Sequence, residues 1–471
     1  MTPLVFAEAE IEKAALEWFR EIGYSILFGP DISLGGPAEK RASYADVVLV
    51  DRLREAIAKI NPRIPAEAWE EAVRRVLRPE APSLLENNRI FHRHLVNGVP
   101  VEYRKGDRVV HDQVWIMDFA NPDSNDWLAV NQFSVTEQKV NRRADVVVFV
   151  NGLPLSVIEL KNPADEKATT RGAFNQLQTY KTQLSHLFSY NAFMVASDGV
   201  QAKAGTISSG WERFAPWRTI DGSDLAPAAA QNLEVLLKGM YEKRRFLDLI
   251  RDFIVFEATR SEVVKKIAGY HQFHVVRKAV DSTVKAVRGD RRIGIVWHTQ
   301  GAGKSLSMVF YTGKVMTHPK MENPTVVVIT DRNDLDDQLF GTFSSCQEII
   351  SQKPVQAESR PHLRDLLQVA SGGVVFTTIQ KFLPDKKGDK FPELSPRRNI
   401  VVIADEAHRS QYDFVDGFAK NMRLALPNAS FAGFTATPIE KADRNTVAVF
   451  GDYIDIYDVY QSIEDNATVP I

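Results

Sequence analysis

Between residues 293 and 437 short apolar runs recur: "IGIVW", "TVVVIT", "GVVFTTI", "NIVVIAD" and "SFAGFTAT", with helical or loop-like stretches between them. Runs of this kind have no polar face to turn to water, so they predict a parallel sheet covered on both sides by helices. Upstream the pattern differs. "DRVVHDQVWIMDF", "WLAVNQFSV", "ADVVVFV" and "LSVIEL" lie close together between residues 107 and 160, which predicts a mainly β region joined by turns. Helical segments flank it. Ile11, Ala15, Trp18 and Ile22 recur at helical spacing before Gly23, and helical periodicity returns in "GAFNQLQTYKTQLSHLF" ahead of a further strand, "NAFMVASDG". The polar, proline-interrupted stretch "PWRTIDGSDLAPAAA" marks a boundary, followed by helices expected at 231–241 and 243–256. The expected organisation is 1–215, a helical connector at 216–260, and 261–471, in an α/β fold.

A chain of 471 residues is long enough for two or three domains with sizeable cores. With 44% hydrophobic and 25% charged residues it reads as globular, and a net charge of −2 gives no global attraction to nucleic acid. Nucleic-acid binding must then use local basic surfaces, for which Arg142-Arg143 and Lys243-Arg244-Arg245 are candidates. Cys346 is the single cysteine, which excludes an intrachain disulfide and multi-cysteine metal sites. The acidic N-terminus lacks the form of a signal peptide and no apolar stretch approaches a membrane span, so the expected location is cytoplasmic, without a membrane partner.

Two motifs carry nucleotide chemistry. "WHTQGAGKSLSM" follows one apolar strand and opens a helix, as a phosphate-binding loop does. Gly301 and Gly303 allow backbone N–H groups to face phosphates, Lys304 suits the β and γ oxygens, and the Ser305 hydroxyl suits Mg²⁺. His298 stands where the usual pattern has its first glycine. "NIVVIADEAHRSQ" ends a buried strand in Asp405, which suits water-mediated Mg²⁺ binding, and Glu406, which suits orienting or deprotonating the attacking water.

The sequence Asp405-Glu406-Ala407-His408, together with "GFTATP", resembles motifs II and III of superfamily 2 helicases and translocases. The resemblance implies that Thr435, Ala436 and Thr437 relay the nucleotide state to DNA movement. It also implies that "ITDRNDLDDQ" and "TTIQKF" touch the nucleic-acid backbone, and that Gln272 in "GYHQFHVVRKAV" reads adenine.

A second constellation lies in the β region. In a strand, residues two apart share a face, so Glu159 and Lys161 of "SVIELKNP" point the same way. Asp145 heads the preceding strand, and Asn151-Gly152 turns the chain between them. Register decides whether they meet. A plain two-residue turn sets Asp145 against Ile158, whereas a three-residue loop or a bulge sets it against Glu159, close enough to share an ion. Two carboxylates on a divalent ion with a lysine beside them suit hydrolysis of a phosphodiester. With Gln176 and Tyr180 four apart on the following helix, the set resembles the PD-(D/E)xK nuclease superfamily. In that superfamily an acid on the first helix often completes the site, and Glu12 is the expected one.

A nuclease of this kind ahead of a superfamily 2 motor resembles the restriction (R) subunit of type I restriction-modification enzymes along essentially the whole chain. The resemblance implies a PD-(D/E)xK endonuclease-like domain, a mixed sheet flanked by helices, followed by one RecA-like parallel α/β motor lobe. It implies Mg²⁺ and ATP as cofactors, ATP-driven translocation along double-stranded DNA, and double-strand cleavage. The partners it implies are modification (M) and specificity (S) subunits, with S-adenosylmethionine entering only through the former. Motifs IV to VI of a second lobe do not occur before Ile471, so Mg²⁺-ATP binding is expected without DNA-stimulated turnover. A stand-alone repair nuclease-helicase and a non-catalytic ATP- and DNA-binding remnant are the alternatives.

Overall fold

The computed structural model describes residues 8–162, 169–227, 230–259, 262–330, 333–369, 372–382, 392–407, 418–437 and 444–468. They form two compact units, Met1–Ile254 with Val263–Tyr270, and Val255–Glu262 with His271–Ile471.

The first unit is built on a mixed sheet. Its strands are β1 (Ser25–Phe28), β4 (Trp127–Glu137), β5 (Val140–Val150), β6 (Leu153–Leu160), β7 (Phe193–Ser197) and β8 (Ala202–Gly205), adjacent in that order. β1 runs parallel to β4 and β6 parallel to β7, while the remaining pairs are antiparallel. Every residue of β6 is buried, as its apolar run requires. The helix Glu8–Glu21 buries Ile11, Ala15 and Phe19, so Phe19 rather than Trp18 continues the apolar stripe. Between β1 and β4 the chain makes three helices and a hairpin of β2 (Val99–Lys105) and β3 (Arg108–Val114).

The segment read as a connector forms helices Asn232–Met240 and Lys243–Asp252, and Leu233, Leu236, Phe246 and Leu249 are fully buried. The second helix stops short of the expected residue 256. β9 (Ile254–Ala258) begins instead, because Ile254, Val255 and Phe256 favour extended backbone. β10 (Val263–Ile267) follows.

Among the described residues, the main sheet of the second unit has seven parallel strands: β11 (Arg292–His298), β12 (Thr325–Thr330), β13 (Val355–Gln356), β14 (Gly373–Thr378), β15 (Ile400–Ala404), β16 (Ser430–Thr435) and β17 (Tyr453–Tyr457). Their spatial order is β13-β14-β12-β15-β16-β11-β17. The five long apolar runs are the inner strands, and Val327, Val402 and Phe431 lie in their core. The order places β15, β16 and β11 side by side. Their carboxyl ends therefore form one edge, which is where open α/β sheets bind ligands.

Candidate functional site

The nuclease-type constellation depends on the β5–β6 hairpin. Asn151 (φ 53°) and Gly152 (φ 76°) form a two-residue turn, and Val150 pairs with Leu153. Continued unbroken, that register would set Asp145 against Ile158. A bulge at Val148/Phe149 absorbs one residue, so Val146 pairs with Ile158 and Asp145 lines up with Glu159. The turn itself is held rigidly: Asn151 is fully buried, accepts from the Asp126 N–H at 2.8 Å and donates to the Ile116 carbonyl at 3.0 Å.

The two carboxylates are buried, Asp145 8% exposed and Glu159 0%. Asp145 Oδ2 accepts from the Leu160 N–H at 2.8 Å, and Lys161 Nζ donates to Glu159 Oε1 at 2.8 Å and to the Leu160 carbonyl at 3.0 Å. Glu159 Oε2 is buried with no hydrogen-bond partner among the described residues. Burial, followed by the Asp145 charge, pushes the Glu159 carboxyl up to about 9, despite the opposing pull of Lys161. Burial likewise raises Asp145 to about 6. Two acids forced together in low dielectric with one oxygen left orphaned are poised for a cation. The Lys161 ammonium occupies part of that role by bridging a carboxylate and a main-chain oxygen.

Gln176 and Tyr180 lie on the face of helix Thr170–Gln183 that looks at this hairpin. Gln176 Nε2 donates to Tyr180 Oη at 2.6 Å, and the Tyr180 hydroxyl donates to the Arg143 carbonyl at 3.0 Å. Burial and the nearby Glu159 push the Tyr180 phenol up to about 12. Glu12 goes elsewhere: its carboxylate accepts from the side-chain amides of Asn131 (2.7 Å) and Gln132. Glu8, one turn earlier, lines an open cleft with Arg142, Arg143, Asp145, Gln176 and Tyr180, and its charge helps raise Asp145. The i, i+4 spacing of Glu8 and Glu12 left the two indistinguishable in sequence. Of the two basic candidates, Arg142-Arg143 borders the cleft. Lys243-Arg244-Arg245 is committed internally, to Asp123 (2.9 Å) and to the carbonyls of Phe119 (2.8 Å) and Gly239 (2.7 Å).

In the second unit β11 ends at the fully buried His298, and the loop after it carries Gly301 and Gly303 at φ 85° and 80°. Helix Lys304–Thr317 begins there, placing Lys304 and Ser305 in its first turn. Gln272 Nε2 donates to the Gly303 carbonyl at 3.0 Å, so the expected adenine reader sits against the phosphate loop. Asp405 and Glu406 follow β15, and the Ala407 N–H donates to the Phe434 carbonyl at 3.0 Å. The Ala436 N–H reaches Glu406 Oε2 at 3.5 Å, while the Ala436 carbonyl accepts from the Trp297 indole at 3.2 Å. Ala436, between Thr435 and Thr437, thus touches the strand before the glycine loop and the acid after β15. Burial lowers the Lys304 pKa, against the charges of Glu406 and Asp405. His408, Asp331, Arg332 and Pro438 of the quoted motifs lie outside the described residues. Among the described residues, no three or more His, Cys, Asp or Glu side chains gather as a metal site, and no helix is long and apolar enough to cross a membrane.

The fold is a mixed sheet flanked by helices followed by a parallel α/β lobe. Residues 6–213 match the family model for the type I restriction enzyme R protein N terminus, and residues 271–471 that for the SWI2/SNF2 ATPase. The chain is 44% identical to the type I restriction enzyme HindI endonuclease subunit of Haemophilus influenzae, over 98% of this chain and 46% of that protein. It is 37% identical to the putative type I restriction enzyme MjaIXP endonuclease subunit of Methanocaldococcus jannaschii, over 98% of this chain and 45% of that one. Over nearly its whole length the chain is similar to type I restriction enzyme endonuclease subunits. It spans about half the length of the curated relatives it matches.

Proposed function

We propose that this protein provides the nuclease and nucleotide-binding parts of a type I restriction endonuclease. It would cut double-stranded DNA at Asp145, Glu159 and Lys161 and use ATP for translocation, in a cytoplasmic complex with modification and specificity subunits. The bulged alignment of Asp145 with Glu159 carries this reading, because it brings together two buried acids and leaves Glu159 Oε2 unsatisfied. These residues fit Mg²⁺, which is commonly held by one or two carboxylates with the remaining positions left to water and phosphate oxygens. When bound, the ion would supply charge for the developing phosphorane and a more acidic water.

The chain's own residues do the rest. Asp145 and Glu159 hold the cation site, with Glu8 as a further acid at its mouth. Lys161, once displaced from Glu159 and the Leu160 carbonyl, is free to stabilise charge on the attacked phosphate. Gln176 and Tyr180 fix the hairpin through the Arg143 carbonyl and close one side of the cleft. In the other unit, Gly301, Gly303, Lys304 and Ser305 would hold the ATP phosphates, Asp405 the metal side and Glu406 the attacking water, with Gln272 toward the base. Thr435, Ala436 and Thr437 would report the nucleotide state to bound DNA.

Asp145→Ala, Glu159→Ala or Lys161→Ala is expected to abolish cleavage by the assembled enzyme while ATP hydrolysis persists. Equal loss of both activities would mean a folding defect and overturn the assignment. Cleavage that requires modification and specificity subunits and responds to DNA methylation separates this reading from a stand-alone repair nuclease-helicase.

A further inference from the structure

One row of the mixed sheet runs from the proposed cutting site to an aromatic residue held between cations. Glu159 pairs with Ala196 on β7, and Ala196 pairs with Lys203 on β8. Directly paired residues share a face, so Lys203 projects on the Glu159 side, two strand spacings or about 10 Å across. Lys203 Nζ lies 4.7 Å from the centre of the Trp211 ring, and the Arg171 guanidinium lies 5.1 Å from it. Arg171 is in the first turn of helix Thr170–Gln183, whose start is tied by Thr170 to Asp198, just past the end of β7. Lys161 donates its N–H to Ser197 at that same end of the sheet. Lys161, Arg171 and Lys203 therefore all belong to one sheet end.

Neither Arg171 nor Lys203 makes an ion pair among the described residues, and the nearby Asp198 is engaged by Thr170, Val200 and Gln201. Burial lowers the Lys203 pKa, with no carboxylate among the described residues compensating. A half-buried ammonium without a counter-ion is costly to a fold unless an anion arrives. Trp211 and Phe174, ring centres 5.5 Å apart, hold Arg171 in place, so the ordering cost of binding is already met.

We propose that Arg171, Lys203 and Trp211 form a docking site for the sugar–phosphate backbone of duplex DNA, beside the bond cut at Asp145 and Glu159. The proposal rests on the nuclease reading for its choice of anion. Phosphate contacts position a duplex without reading its sequence, and they make affinity fall with salt in proportion to the number of phosphates engaged.

The test is fluorescence anisotropy of a labelled duplex with the 471-residue chain in Ca²⁺, across a salt series, beside Mg²⁺-dependent cleavage by the assembled enzyme. The Arg171→Gln/Lys203→Gln double variant is expected to bind about tenfold more weakly near 100 mM salt, with a log–log salt slope shallower by about 1.8. Lys203→Arg should retain the wild-type slope, and an unchanged unfolding midpoint in the double variant excludes misfolding. Wild-type affinity and slope in the double variant would overturn the proposal and make the cluster a packing brace. Absence of duplex binding by the wild-type chain at low salt would overturn it too. Cleavage by Asp145→Ala tells the two readings apart. If that variant cuts normally while the double variant loses affinity, the docking site stands and the nuclease assignment falls.

Discussion

Glu159 shows how much of a site a single residue can hold. Its type and its two-residue spacing from Lys161 were legible in the sequence; its complete burial and orphaned oxygen were not, because they depend on what the hairpin packs against. A carboxyl whose folded pKa is raised favours its protonated form. Its contribution to stability is present below the unfolded value and is lost as pH rises through the folded one. With Asp145 pushed up to about 6 and Glu159 to about 9, the chain in chelator should lose thermal stability as pH climbs through that window. Glu159→Gln should flatten the upper part of the loss in melts recorded against pH. A wild-type profile that stays level to pH 9 would contradict the burial argument. Gly303 offers a second residue-level check: its φ is 80°, and an added Cβ would lie 2.7 Å from Gln272 Nε2. Gly303→Ala should cost about 1 to 2 kcal/mol of stability and weaken Mg²⁺-ATP binding, measured by unfolding and by titration.

At the scale of elements, the apolar runs after residue 293 and those of β5 and β6 announced their strands by their buried β-branched residues, whereas β3 is mostly exposed and was legible from its valines. The short edge strand Val355–Gln356 gave no such signal, being two residues long. The hairpin register was legible only as a pair of alternatives, since Asn-Gly fixes a turn but not a bulge. Glu8 was hidden for a different reason: helical periodicity gives a face, and the distance along that face to Asp145 is a tertiary fact. Gly152 ties the hairpin to the rest of its unit, for a Cβ there would meet the Leu49 carbonyl at 2.3 Å. Gly152→Ala is expected to destabilise the protein by roughly 2 kcal/mol or more, read from denaturant unfolding, and to reduce cleavage through loss of register. Normal stability in that variant would show the turn to be adaptable.

For the whole molecule, the two chemistries sit in separate compact units, each with its own sheet and its own set of acids. Lys304→Ala should weaken ATP binding and leave divalent-ion binding at Asp145 and Glu159 intact, while Asp145→Ala should do the reverse; calorimetric titrations of both ligands with both variants check this. A loss of both in either variant would show the units to be energetically fused. The bulge at Val148/Phe149 has a further meaning. Because side chains alternate with a period of two, alignment of the proposed cutting acids depends on the parity of a residue count. One codon deleted in frame between Asp145 and Val148 would set Asp145 against Ile158 instead of Glu159 while leaving every residue of the nucleotide loop in place. The proposed cutting would thus be silenced by the smallest possible in-frame lesion, in a gene that still encodes the glycine loop of Gly301 and Gly303.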